Sequence, residues 1–97
     1  MLEIRVLYHG ALKETMKRKE EEVTTSAVTF TMKDLIVMLT EKHGEKFKKI
    51  VMSHNGRASP YTLIFLNDEL IDFHGKGLET ELHSGDTIEF TPAVGGG

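Results

Sequence analysis

The first strand of the chain is visible in an alternation of apolar and polar side chains. The apolar positions are Leu2, Ile4, Val6 and Tyr8, and the polar positions between them are Glu3 and Arg5. A period of two predicts a β-strand with one buried face. Leu7 interrupts the alternation, so we expect its side chain on the opposite face, where it is a candidate surface contact.

The next segment has a weaker pattern. Residues 9–22 contain helix-forming residues but only a thin apolar stripe, which predicts a loop with some helix. The charged run "KRKEEE" at 17–22 is interpreted as a solvated face. A second strand is predicted near Val23–Val28, because valine and threonine favour extended backbone.

The clearest helix begins at Thr31. Thr31 and Asp34 have the spacing of a capping box, and Phe30 and Leu35 have that of a hydrophobic staple. The apolar residues that share one helical face are Met32, Leu35, Ile36 and Leu39. Gly44 predicts the end of this helix, and a further helical turn is predicted at 47–52.

The last third of the chain has a strand, a turn and a short returning strand in "TLIFLNDELID", with the turn at Asn67–Asp68. Four consecutive apolar residues, Leu63–Leu66, indicate a strand that is buried on both faces or exposes a binding patch. A final strand carries Ile88 and Phe90 on one face.

The order of these elements predicts an α+β domain, in which one main helix packs across a mixed sheet of about four to five strands. We assign residues 1–91 to this domain and residues 92–97 to a flexible, glycine-rich tail. No apolar stretch is long enough to span a membrane, and the N-terminus lacks the features of a signal peptide. We therefore expect a cytoplasmic protein that does not bind membranes and is monomeric when free.

Charge and composition narrow the functional classes. Residues 1–60 carry eleven Lys/Arg and eight Asp/Glu, whereas residues 61–97 carry Lys76 against seven acidic residues. An acidic C-terminal third argues against nucleic acid near the tail and for a basic protein partner. The chain has no cysteine, and its five histidines show no metal-ligand spacing. We expect no metal site and no cofactor bound by the chain itself.

The tail "FTPAVGGG" is the candidate reactive part. It has no charged side chain and ends in three glycines. Glycine, which has no Cβ, can enter a narrow channel in a partner enzyme. Residues 91–97 reach roughly 23–25 Å when fully extended. A terminal carboxylate activated by ATP as an acyl-adenylate can accept sulfur, giving a thiocarboxylate, or an amine, giving an isopeptide bond.

Three segments resemble the MoaD/ThiS family of ubiquitin-like sulfur carriers: "IFLNDELIDF", "GLETELHSGDTIEFTPAVGGG" and, less specifically, "RVLYHGALKE". The resemblance implies a β-grasp fold and three partners, which are an adenylating enzyme that uses ATP, a sulfurtransferase or sulfide source, and an acceptor enzyme such as the large subunit of molybdopterin synthase. The family tail usually has two glycines, so either Gly97 or Gly96 bears the reactive carboxylate.

The resemblance also implies docking through an apolar sheet surface while the tail threads inward. The residues expected to contact partners are Gly95, Val94, Pro92, Phe90, Phe65, Leu63 and Leu7. Several outcomes stay open: sulfur donation to molybdopterin, cysteine, thiamine or tRNA bases, conjugation to lysines as a protein modifier, and a binding module with an inert tail.

Overall fold

This computed structural model describes residues 1–51, 62–71 and 77–92. The elements in chain order are β1 (Leu2–Tyr8), α1 (Ala11–Met16), β2 (Glu20–Thr25), α2 (Met32–His43), α3 (Glu45–Val51), β3 (Thr62–Leu66), β4 (Glu69–Leu70), a 3₁₀ turn (Gly77–Glu79) and β5 (Thr87–Pro92). One sheet and the helices that cover one of its faces make up the described domain.

The sheet has five strands in the order β2-β1-β5-β3-β4. β1 pairs with β5 in parallel, and the other neighbouring strands are antiparallel. The first and last strands are therefore neighbours near the middle of the sheet. This mixed sheet with one long helix across it confirms the predicted α+β, β-grasp arrangement.

The inner face of the sheet forms the core with the helices. In β1, β3 and β5 every second side chain is buried: Ile4, Val6, Tyr8, Ile64, Ile88 and Phe90. The helices contribute Leu12, Met16, Met32, Leu35, Ile36, Leu39, Phe47 and Val51. The predicted alternation in β1 and the predicted apolar face of α2 are both confirmed.

Helix α2 begins and ends as the sequence predicts. The Asp34 backbone N–H donates to the Thr31 hydroxyl oxygen at 3.2 Å, and the Thr31 N–H donates to the Asp34 carboxylate at 2.9 Å. These two bonds close the capping box. Gly44 follows the last helical residue with φ +85°, a left-handed value that favours glycine.

The predicted second strand is displaced in the structure. β2 occupies Glu20–Thr25 rather than 23–28, because its pairing with β1 ends where Leu2 meets Thr25. Val28 lies beyond the sheet and is 97% exposed. The expected loop with some helix at 9–22 contains the short helix α1, and the helical turn predicted at 47–52 is the longer helix α3.

The interpretation of the charged run as a solvated face is wrong at Glu21, whose side chain is only 3% exposed. The Tyr8 hydroxyl and the His43 Nε2 donate to Glu21 Oε2 at 2.5 and 2.7 Å, and Lys42 Nζ donates to Oε1 at 2.6 Å. Arg18 adds a contact at 3.6 Å. This buried network joins β1, β2 and the C-terminal end of α2 around one carboxylate.

The network shifts the acidity of two groups. Burial alone disfavours the Glu21 carboxylate, but hydrogen bonds from Lys42, Tyr8 and His43 outweigh that cost and lower the pKa of Glu21 to about 2. Burial and the adjacent carboxylate raise the pKa of the Tyr8 hydroxyl. At neutral pH the stable arrangement is therefore an ionised Glu21 that accepts a hydrogen bond from a neutral Tyr8.

The Glu21 network predicts a specific acid sensitivity. The pKa of Glu21 falls from its usual 4.5 to about 2, so its contribution is complete above pH 4.5 and is lost as the pH falls from 4.5 toward 2. We expect Glu21→Gln to lower the free energy of unfolding by about 2–3 kcal/mol at neutral pH. Urea unfolding at a series of pH values between 2 and 7 measures both effects.

The matched control is Glu22→Gln, because Glu22 is the next residue of the same strand and is exposed. It should leave both the stability at neutral pH and its pH profile close to those of the wild type. Equal stability losses for the two variants, or an unchanged acid profile in Glu21→Gln, would contradict the assigned role of Glu21.

Candidate functional site

The C-terminal end of β5 lies beside the end of β1. Tyr8 is the parallel partner of Phe90, and the His9 N–H donates to the Phe90 carbonyl at 3.1 Å. Pro92, predicted as the first tail residue, is the last residue of β5 and pairs with Thr62. The predicted tail residues Val94, Gly95, Gly96 and Gly97 lie outside the described residues.

Phe90 is a core residue, which corrects the expectation that its side chain contacts a partner. It is fully buried. Its ring stacks on Tyr8 with centroids 6.0 Å apart and meets the edge of Phe47 at 5.6 Å. Since aromatic packing of this kind restrains the backbone on which it is built, the last strand is anchored two residues before Pro92.

The outer face of the sheet carries the other predicted contacts. Strand register places five residues in one row across this face: Glu20, Leu7, Glu89, Phe65 and Leu70. Leu63 follows in the next row, opposite Thr91. Leu7, Leu63 and Phe65 are half-buried, so the structure brings all three predicted residues to one accessible face.

Leu70 belongs to the same surface and was not singled out from the sequence. Its side chain is 58% exposed, and its register opposite Phe65 follows from the two-residue turn at Asn67–Asp68. Both turn residues have positive φ, 49° and 71°, as a tight hairpin requires. Counting residues outward from this turn would have placed Leu70 beside Phe65. We call Leu7, Leu63, Phe65 and Leu70 the outer-face patch.

A pair of polar side chains, His9 and Glu89, lies beside the residues of the outer-face patch. His9 Nε2 is 2.8 Å from Glu89 Oε2, and the side chains are 45% and 23% exposed. In the register of the sheet, Glu89 stands between Leu7 and Phe65. The outer-face patch therefore surrounds a carboxylate that already has a hydrogen-bond partner, and a protein that covers the patch would meet this polar pair among its apolar side chains.

The acidic residues of the C-terminal third are of two kinds, structural and exposed. Asp86 is structural, because it accepts hydrogen bonds from the Asn67 amide at 3.0 Å and from the His83 N–H at 2.7 Å. The exposed members near the hairpin and the 3₁₀ turn are Asp68, Glu69, Glu79 and Glu81. Asp72 lies outside the described residues. Among the described residues, these exposed carboxylates are more accessible to a basic partner than Asp86 is.

In the parts of the chain that the structure describes, no group of three or more His, Asp or Glu side chains is placed to hold a metal ion. No helix among residues 1–51, 62–71 and 77–92 is both long and apolar enough to cross a membrane.

A family comparison covers almost the whole chain: the family model of the ThiS family matches residues 6–97. The chain belongs to the ThiS family. A candidate sulfur carrier protein of Archaeoglobus fulgidus is 34% identical over 76 residues, which cover 78% of this chain and 84% of that protein. This ThiS-family protein is therefore a member of a family of small sulfur carrier proteins.

Solved structures extend the comparison. Small archaeal modifier protein 1 of Methanosarcina acetivorans is 25% identical with a TM-score of 0.76, covering 100% of this chain and 98% of that one. A chain in the Helicobacter pylori complex of molybdopterin-converting factor subunits 1 and 2 is 27% identical with a TM-score of 0.63, covering 99% and 100%. Both likenesses cover at least 99% of the ThiS-family protein.

The two faces of β3 predict different responses to truncation. Phe65→Ala removes a half-buried ring from the outer-face patch, whereas Ile64→Ala opens a cavity in the core, where Ile64 is 1% exposed. We expect the Ile64 variant to lose about 2–4 kcal/mol of unfolding free energy and the Phe65 variant to lose about 1 kcal/mol or less. Urea titrations measure both, and a larger loss for Phe65→Ala would show that this ring supports the fold.

Proposed function

We propose that this ThiS-family protein is a sulfur carrier whose C-terminal glycine is converted to a thiocarboxylate. The observation that carries the proposal is the match to the ThiS family through residue 97, which includes the glycines of the tail. The relative named as a sulfur carrier supports it. The geometry is compatible, because the last strand is anchored in the core by Phe90 and the reactive end follows an uncharged segment.

The proposed chemistry has two steps. A terminal carboxylate oxygen attacks the α-phosphorus of ATP, and pyrophosphate leaves as the acyl-adenylate forms. Hydrosulfide then attacks the acyl carbon, displaces AMP and loses its proton, which leaves a thiocarboxylate. Sulfur that a sulfurtransferase carries as a persulfide also needs a thiol reductant, which supplies the two electrons that bring this sulfur to the hydrosulfide level. ATP is a substrate of the adenylating enzyme, so the carrier binds no cofactor and acts as a protein co-substrate rather than as a catalyst.

Docking on each partner is assigned to the outer-face patch. Ordering the three terminal glycines in a partner channel costs roughly 3–6 kcal/mol of conformational entropy. Burying an apolar side chain stabilises by about 1.5–3 kcal/mol, so a few residues of the patch offset that cost. The exposed acidic residues beside the hairpin favour a basic partner surface and speed association.

The acceptor we favour is the large subunit of a molybdopterin synthase, and the reaction is placed in the cytoplasm. The support is the H. pylori complex, in which a chain similar to this one is paired with subunit 2 of the molybdopterin-converting factor. The family resemblance also implies acceptor enzymes that make cysteine, thiamine or thiolated tRNA bases, and these are the alternative acceptors.

A second candidate function is protein modification. The 25% identity to small archaeal modifier protein 1 of M. acetivorans, over the full chain, favours it. In this case a lysine ε-amine attacks the activated acyl carbon instead of hydrosulfide, and an isopeptide bond forms. Both functions use the same terminal carboxylate, so one protein can serve both.

The mass of the protein purified from its native cell tests the carrier proposal. We expect a fraction of molecules to be heavier by the difference between one sulfur and one oxygen atom, with the change located at the last residue. The same spectrum identifies the terminal residue as Gly97 or Gly96. Peptides in which the C-terminus is joined to lysine, without any thiocarboxylate, would instead support the modifier.

Deleting Gly96 and Gly97 removes the proposed reactive end without touching any described contact. We expect thiocarboxylate formation and sulfur transfer to fall to background while the unfolding transition stays unchanged. Full activity of the truncated chain would exclude acyl chemistry at the terminus and would leave a binding module with an inert tail.

The outer-face patch predicts separable effects on docking. Truncation of Leu7 or Phe65 to Ala should raise the dissociation constant for the adenylating enzyme by about tenfold, since apolar anchors at an interface centre dominate affinity. Val37→Ala is the matched control, because Val37 is an exposed apolar residue of α2. Isothermal titration with the purified enzyme measures all three, and equal affinities would place docking elsewhere.

A further inference from the structure

Gly10, between β1 and α1, lies against Pro92 at the end of β5. Its φ is +58°, a left-handed value. A Cβ added to Gly10 would lie 2.8 Å from Pro92 Cγ and 3.2 Å from Cδ. Contacts below 3.0 Å are essentially unknown for real Cβ atoms. Position 10 therefore excludes a side chain both by its backbone conformation and by the proline ring.

The backbone on both sides of this contact is held in place. The His9 N–H donates to the Phe90 carbonyl at 3.1 Å, and the Lys13 N–H donates to the Gly10 carbonyl at 3.0 Å. Pro92 is itself paired across the sheet with Thr62. Because these bonds hold the backbone around Gly10, the Pro92 ring would have to shift to make room for a side chain at position 10.

We propose that Gly10 is a positioning residue for the C-terminal tail. By leaving room for the Pro92 ring, it sets the direction in which the chain continues beyond β5 and thereby delivers the terminal carboxylate to the adenylating enzyme. This inference rests on the proposed function. Five residues follow Pro92 and span at most roughly 17 Å, so the place where the chain leaves β5 limits the positions that the terminal carboxylate can reach.

The position of Gly10 predicts which kinetic constant of the adenylation reaction changes when this residue is substituted. The outer-face patch consists of Leu7, Leu63, Phe65 and Leu70 and does not include Gly10. Docking should therefore survive a change at Gly10, whereas placement of the carboxylate should not. Misplacement of a reacting group by about 1 Å lowers the rate by up to about a hundredfold.

The test is ATP–pyrophosphate exchange, catalysed by the purified adenylating enzyme of the same organism with this protein as the substrate. We expect Gly10→Ala to lower kcat by about tenfold or more. The KM for the carrier should stay within about twofold of the wild type, because the docking surface is unchanged.

Two other glycines supply matched controls. Gly44 and Gly85 have φ values of +85° and +94°, and a Cβ on either would meet no atom within 4 Å. Gly44→Ala and Gly85→Ala therefore impose a left-handed backbone on alanine without a collision. We expect both to retain kcat within about twofold. A loss equal to that of Gly10→Ala would assign the effect to backbone strain alone and overturn the proposal.

Pro92→Ala tests the contact from its other side. Removing the ring leaves Gly10 intact and should lower kcat by a few-fold, because the chain after β5 loses the contact that positions it. In the double variant, which combines Gly10→Ala with Pro92→Ala, the Cβ added at position 10 no longer meets a proline ring. The kcat of the double variant should therefore equal that of Pro92→Ala alone. Losses that simply multiply would show that the two residues act independently.

The outcomes separate this inference from the proposed function. If the wild-type chain supports no exchange, the proposed function fails and the inference falls with it. If the wild type is adenylated but Gly10→Ala keeps its kcat, only the inference is overturned. If Gly10→Ala does not fold, the kcat of Pro92→Ala tests the inference by itself. An unchanged kcat in that variant would contradict the positioning role of Gly10.

Discussion

The parallel pairing of β1 with β5 is the constraint on which the rest of the structure depends. It places the last strand between the first strand and β3, so both faces of the sheet are completed only when β5 is in position. On the inner face it brings Tyr8 against Phe90. On the outer face it brings Leu7 beside Glu89. The same pairing ends β5 next to Gly10, so the core, the outer face of the sheet and the contact between Gly10 and Pro92 depend on one pairing.

Much of this fold could be predicted because local signals agreed with tertiary packing. The alternation in β1, the capping box at Thr31 and the turn at Asn67–Asp68 each depend on residues close together in sequence. Such signals fix the type of an element well and its ends less well. The predicted second strand is displaced because valine and threonine continue past Thr25 in the sequence. In the antiparallel register, however, Thr25 is opposite Leu2, the first residue of β1, so the pairing ends there.

What could not be predicted depends on contacts between distant residues. Glu21 belongs to a run of charges that favours a solvated surface, yet Tyr8, Lys42 and His43 converge on it from other elements. A buried carboxylate is stable only with such partners, and one sequence does not show that they will meet. The close approach of Gly10 to Pro92 could not be predicted for the same reason. The two residues are far apart in the sequence, and the pairing of β1 with β5 brings them together.

The two edges of the described sheet limit how it can meet other molecules. One edge is β2, which exposes Glu20 and Glu22, and the other is β4, which is only two residues long. Charged and very short edge strands resist the addition of a further strand. Extension of the sheet by a partner, or by a second copy, is therefore disfavoured. Contact with another protein is thereby left to the outer face of the sheet, which the helices do not cover, rather than to its edges.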